Sequence, residues 1–177
     1  MACYHTVLHE FRIDDQRLGI VGCAVGGPFA VIVAEQLFAS GCRFLISITS
    51  AGQIAPLEPP PYFVVIERAL RDEGTSHHYL PPAEFSAANP DLIARVQPYL
   101  QRLREPVHIG SSWTTDAPFR ETNEAIEGQG IAAVEMEAAT LSAFPEARRK
   151  PVLCLAHVTN RMGQIEGDFE KWLSRWN

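Results

Sequence analysis

The stretch from Ile131 to Leu141 reads IAAVEMEAATL. It passes from an apolar, strand-like segment straight into an Ala-rich helical one, with Glu135-Met136-Glu137 at the changeover. A carboxylate at the end of a buried strand bears a large desolvation cost unless donors satisfy it, so Glu135 or Glu137 needs a partner. An ionised carboxylate only accepts hydrogen bonds, which suits a ligand with two adjacent hydroxyls, and Met136 would then lie flat under it. The alternative is a pair of solvated charges in the first turn of a surface helix, complementing its dipole.

Working outward, Arg17 to Gly26 (RLGIVGCAVG) is a short apolar run closed by glycines, which predicts a buried strand. Pro28 stands where a helix starts, Phe29 to Phe38 continues it and Gly41 stops it. A second strand, Phe44 to Thr49, leads into Ser50-Ala51-Gly52. Strand, helix and strand in so short a span predict a βαβ unit of a mainly parallel sheet, whose ligand crevice lies beyond the strand carboxyl ends. The glycines from Gly22 to Gly27 miss the GxGxxG spacing, so their role is close backbone approach and not a dinucleotide site.

Further strands are expected at Tyr62 to Ile66, Val107 to Thr114, Ile131 to Met136 and Pro151 to Thr159. Asn89-Pro90 is a helix cap and first residue, followed by apolar residues at helical spacing to Leu103, with Pro98 expected to kink or split the helix. Pro118 to Gly128 reads as loop plus helix. Near the end, Trp172 and Trp176 stand at i, i+4, a spacing that buries one helix stripe. The fold class is therefore α/β: one domain over residues 1–177, a three-layer α-β-α arrangement around a central mixed, mainly parallel sheet.

Composition narrows the function classes. A net charge of −6 lacks the basic footprint of a nucleic-acid partner. No apolar run approaches the ~20 residues that span a bilayer, and the N-terminus has neither the basic start nor the long apolar core of a signal peptide, so no membrane partner and a cytoplasmic location are expected. Cys3, Cys23, Cys42 and Cys154 are scattered without CxxC and read as free thiols. His77 and His78 are adjacent, so their side chains diverge; they read as a partly buried loop pair, and no metal site is expected.

EMEAATL resembles the ribose-binding signature of the nucleoside phosphorylase/uridine phosphorylase family. Thr114 to Thr122 (TTDAPFRET) and Arg71 to Ser76 (RDEGTS) look like segments of the same family in the same order, and Ser47 to Ile54 is a third. The resemblance implies that Glu137 binds ribose hydroxyls beside Glu135, with Met136 packed on the sugar. It implies a Ser-x-Gly phosphate loop at Thr49, Ser50 and Gly52, base contacts from Phe119 and Arg120, and an Asn160-Arg161 pair beside the base. Purine-preferring relatives carry an Asp acid at the Asn160 position; Asn cannot give up a proton usefully, which favours a pyrimidine. Four strand ends would then open onto one crevice: Thr49 to Gly52, Thr114 to Asp116, Glu135 to Glu137 and Thr159 to Arg161.

Two departures bear on the chemistry. Ser47 stands where the family has an Arg, and the family's Gly-rich, Arg-containing phosphate loop precedes the region matched by this chain. Phosphate affinity rests mostly on Arg donors. Two readings follow: a pentosyltransferase cleaving a nucleoside's N-glycosidic bond with phosphate as co-substrate and no other cofactor, or a nucleoside- or base-binding protein that has lost the chemistry. Arg43, Arg68 and Arg71 are the arginines that a neighbouring subunit could bring to phosphate. A sheet short of one edge predicts a homo-oligomer.

Overall fold

The computed structural model describes residues 2–3, 5–120 and 129–161. In chain order the strands and helices are β1 (Ala2–Cys3), β2 (Thr6–Ile13), β3 (Gln16–Val21), α1 (Gly27–Ala39), β4 (Leu45–Gln53), β5 (Tyr62–Asp72), β6 (Phe85–Ala87), α2 (Pro90–Leu100), β7 (Val107–Thr115), β8 (Ile131–Glu135), α3 (Ala138–Arg148) and β9 (Val152–Asn160).

The sheet is mixed, as expected, but it is not an open central layer. Five strands close on themselves in the order β5-β7-β8-β4-β9, with β9 returning to pair with β5. Parallel ladders join β5 to β7, β7 to β8 and β4 to β9, while the β4–β8 and β5–β9 seams are antiparallel. Closure depends on β5. Its first half pairs with β9 through Tyr62 to Val65, its register to β7 shifts between Ile66 and Arg68, and its second half takes β6 on the side that β9 has left. A bulge of this kind bends and twists a strand, which lets one strand serve two partners.

The expected βαβ unit does not form. β3 belongs to a separate three-stranded sheet with β1 and β2, and it is exposed along nearly its whole length. The cause is local. Ile13 pairs with Gln16 across a two-residue turn at Asp14-Asp15, with Asp14 at φ 51°, so the chain before Arg17 is itself a strand and captures β3 in a hairpin. One face of that hairpin leaves Val7, Phe11, Ile13, Leu18 and Ile20 exposed.

The helices follow local chemistry closely. Pro28 occupies the first turn of α1, and Gly41, at φ 96°, follows its end. Asn89 caps α2, its side chain accepting from the N–H groups of Asp91 and Leu92. Pro98 lies in the last turn, and the helix stops at Leu100 instead of continuing to Leu103. Buried residues of α1 and α3 pack with β4, β5, β8 and β9 around Phe38, Tyr62, Ile66 and Phe144. A second cluster joins Ile93 of α2 to Val65, Leu153 and Leu155, the residues that alternate with the first set along β5 and β9. Of the loop plus helix expected over Pro118 to Gly128, the described part, Pro118–Arg120, is a single 3-10 turn; residues 121–128 and the Trp172/Trp176 stripe lie outside the described residues.

Candidate active site

Glu135 ends β8 and Glu137 is the N-cap of α3, so the strand-to-helix changeover read from EMEAATL is where the sequence places it. Both carboxylates have partners. Glu135 is 3% exposed. Its Oε1 accepts from the Ser112 hydroxyl at 3.0 Å and the Thr114 hydroxyl at 2.5 Å, and its Oε2 from the N–H groups of Glu137 at 2.7 Å and Ala138 at 2.6 Å. Burial pushes its pKa up to about 7, although the Thr114, Glu137 and Ala138 donors pull it down. Thr114 in turn accepts from the N–H of Ala139 at 2.8 Å, so β7 and the first turn of α3 are locked around this one side chain. Burial likewise pushes up the Cys154 thiol, which feels Glu135 and Glu137.

Glu137 is 5% exposed and joins elements far apart in the chain. Its Oε1 accepts from the backbone N–H of Gly26 at 2.7 Å, and its Oε2 from the Thr49 hydroxyl at 2.6 Å. Gly26, at φ 85°, holds a conformation that favours glycine. Gly27 needs its missing side chain for a different reason: a Cβ there would lie 2.4 Å from Thr140 Oγ1 and 3.5 Å from Glu73 Oε2. Close backbone approach was the role expected for these glycines.

Behind that contact, Glu73 is buried and accepts from the N–H groups of Thr75 (2.7 Å) and Ser76 (3.0 Å) and from the Thr140 hydroxyl (2.8 Å). Burial raises the carboxyl pKa, yet the donors on Ser76, Thr140 and Thr75 outweigh it and hold the group below its ordinary value. The signal in RDEGTS that could have marked Glu73 as an anchor is its place two and three residues before Thr75 and Ser76 in a tight turn, where a carboxylate can accept from their N–H groups.

The remaining expected residues are spread around this core. Thr49, Ser50 and Gly52 are not a loop: they lie within β4, where Ser50 is exposed and Gly52 is buried in ladders to Val134 and Asn160. The four strand ends do not all point one way, because β4 runs antiparallel to β8 and β9 runs antiparallel to β5. The pairing of Gly52 with both Val134 and Asn160 still places the end of β9 two strands from β8. Met136, Asn160 and Arg161 are half-buried, and Phe119 is 100% exposed.

Arg71 is committed within its own chain. It is buried, and its guanidinium donates to Ser76 Oγ (2.8 Å) and to the carbonyls of Pro81 (2.7 Å) and Leu80 (3.2 Å). Arg68 donates to Ser111 Oγ and lies over the Phe85 ring. Arg71 is thus occupied by its own chain, whereas Arg68 is exposed and uses its Nε for Ser111. His77 and His78 are exposed rather than partly buried, His77 Nδ1 lying 3.2 Å from Arg71, and no metal-ligating cluster occurs among the described residues.

The family model of the phosphorylase superfamily matches residues 3–176. The chain belongs to that superfamily. Among curated relatives it is 28% identical to a guanosine phosphorylase of Halorubrum lacusprofundi, covering 77% of this chain and 57% of the relative. It is 28% identical to a DeoD-type purine nucleoside phosphorylase of Colwellia psychrerythraea, over 83% of this chain and 65% of the relative. It is 25% identical to a uridine phosphorylase of Thermococcus kodakarensis, over 96% of this chain and 72% of the relative. The chain thus spans 57% and 65% of the first two relatives. The crystal structure of a uridine phosphorylase from Vibrio fischeri, complexed with 6-hydroxy-1-naphthoic acid, superposes with a TM-score of 0.80 at 19% identity, over 96% of this chain and 71% of that one. That likeness establishes the nucleoside phosphorylase fold. The relatives include both purine and uridine phosphorylases, so superfamily membership leaves the base open.

Proposed function

We propose that this chain binds a nucleoside, its ribose hydroxyls on Glu137 and its sugar face on Met136, and cleaves the N-glycosidic bond with phosphate as the attacking group. The observation that carries the reading is the Glu137 carboxylate: almost sealed from solvent, yet held by two donors among the described residues, where about four lone-pair sites exist to accept a sugar's hydroxyls. Glu135, filled by four protein donors, acts as the anchor that fixes the turn carrying Glu137.

Cleavage passes through a sugar cation, which a bound phosphate dianion both stabilises and attacks. Around β4 the donors for that anion are neutral: Ser50 is exposed, and Ser47 stands where the resemblance implies an Arg. Neutral hydrogen bonds are roughly half as strong as charged ones, so phosphate is held weakly and turnover is slow. Asn160, half-buried at the end of β9, offers no proton to a purine leaving group, which favours a pyrimidine nucleoside. The chain works without a resident cofactor, in the cytoplasm and as a homo-oligomer; the exposed apolar face of the β2–β3 hairpin motivates the last point.

The test is release of free base from uridine and inosine, followed by ultraviolet absorbance with and without millimolar phosphate. Slow, phosphate-dependent release of uracil supports the proposal. Nucleoside binding without release would leave a binding protein, and inosine cleaved faster than uridine would overturn the pyrimidine assignment.

A further inference from the structure

We propose that the groove between α1, the end of α3 and the 3-10 turn Ser76–His78 is a second binding site, built for a small aromatic monocarboxylate. None of Thr49, Glu137 and Asn160 lines it, so the proposal stands whether or not the chain takes a nucleoside.

The groove offers about 590 Å³, open to solvent on one side, a volume typical of small-molecule sites. Pro28, Val31 and Ile32 of α1 line it from one helix face, three and four residues apart, and Ile32 is left 39% exposed. Tyr79 lines it too. Its hydroxyl donates to Glu35 Oε1 at 3.3 Å and its ring meets Phe144 edge-on at 5.8 Å, so the ring is fixed from both ends. An aliphatic floor beside a fixed aromatic ring suits a flat apolar body.

The polar groups decide the charge. Arg148, in the last turn of α3, is the only permanently charged side chain lining the groove. It approaches Glu35 through Nε at 3.4 Å, and its guanidinium makes no hydrogen bond among the described residues. A planar fork of free N–H donors matches the two oxygens of a carboxylate. The Thr75 hydroxyl and the His78 ring also line the groove without a hydrogen-bond partner among the described residues, and add neutral donors. Glu35 sets the limit on charge. A dianion at Arg148 would meet twice the repulsion from Glu35 that a monoanion meets.

The experiment is calorimetric titration of indole-3-carboxylate into the full chain, into Arg148→Gln and into Ile32→Ala. Indole-3-carboxamide, with the ring but no charge, and acetate, with the charge but no ring, are the comparators. Saturable binding of indole-3-carboxylate below about 10 mM is expected, with both comparators at least about fivefold weaker. Arg148→Gln should weaken binding about tenfold and Ile32→Ala about threefold. No saturation in that range, a carboxamide that binds as well as the carboxylate, or an affinity unmoved by either variant overturns the proposal. Should Arg148→Gln fail to fold by circular dichroism, Arg148→Lys, which keeps the charge without the fork, makes the same comparison.

Discussion

Replacing Glu135 by glutamine should remove a pH dependence that a single buried carboxyl imposes on the whole domain. Glutamine matches the shape of a protonated glutamic acid. Its carbonyl can take the Glu137 and Ala138 N–H groups, which cannot turn, while its NH2 faces the Ser112 and Thr114 hydroxyls, which can. At pH 4.5 the variant and the wild type should therefore be within about 1 kcal/mol of each other. Burial raises the folded-state pKa of Glu135 from its ordinary 4.5 to about 7. A raised carboxyl pKa contributes stability that is fully present below 4.5 and is lost as pH rises to about 7, because the unfolded chain releases the proton first. At roughly 1.4 kcal/mol per unit, that loss is about 3 kcal/mol. Urea unfolding of both proteins at half-unit steps from pH 4.5 to 8 measures it. The wild-type stability minus that of Glu135→Gln should fall by about 3 kcal/mol across the window and then level off. A difference that stays flat or grows with pH would mean that the four donors, not burial, control the group, and would refute the argument.

Three further outcomes follow from the same geometry. Gly27→Ala should destabilise by about 1–3 kcal/mol, because its Cβ would meet Thr140 Oγ1, and Thr140→Ala in the same chain should recover part of that loss in a thermal melt. Glu73→Ala leaves the Thr75 and Ser76 N–H groups without their acceptor and should cost about 2–4 kcal/mol by urea unfolding at pH 7. Since the Glu73 pKa is held low, its contribution is present above the ordinary 4.5 and is lost as pH falls through the folded value, so the deficit should shrink in acid. Phe119→Ala, at a fully exposed position, should change stability by less than about 0.5 kcal/mol. If Phe119 stacks on the base it should nevertheless weaken nucleoside binding by about 0.5–1.5 kcal/mol in calorimetry.

What the sequence disclosed was mostly local. Asn89-Pro90 capped a helix, Pro28 and Gly41 bracketed another, and EMEAATL turned from strand to helix, because caps and apolar runs act over a few residues. The β2–β3 hairpin was missed although Val7, His9, Phe11 and Ile13 alternate with Thr6, Leu8, Glu10 and Arg12, since mixed polarity on both faces blurs a period of two. The closed ring was beyond local reading, because it depends on β5 changing partners at a bulge and on a β5–β9 seam between distant segments. At the site, the carboxylates were legible as groups needing partners. The partners themselves, Gly26 for Glu137 and Ser112 with Thr114 for Glu135, are tertiary neighbours that no spacing announces.

The central claim is that Glu137 is a sugar-binding carboxylate rather than a charge at the start of α3. Glu137→Gln keeps the side-chain shape and the two protein contacts while removing the charge. Titrating uridine into both proteins in a calorimeter at pH 7 should show the variant binding more weakly by roughly 1.5–3 kcal/mol, the range for a hydrogen bond to a charged group. Equal affinities for the two proteins would contradict it.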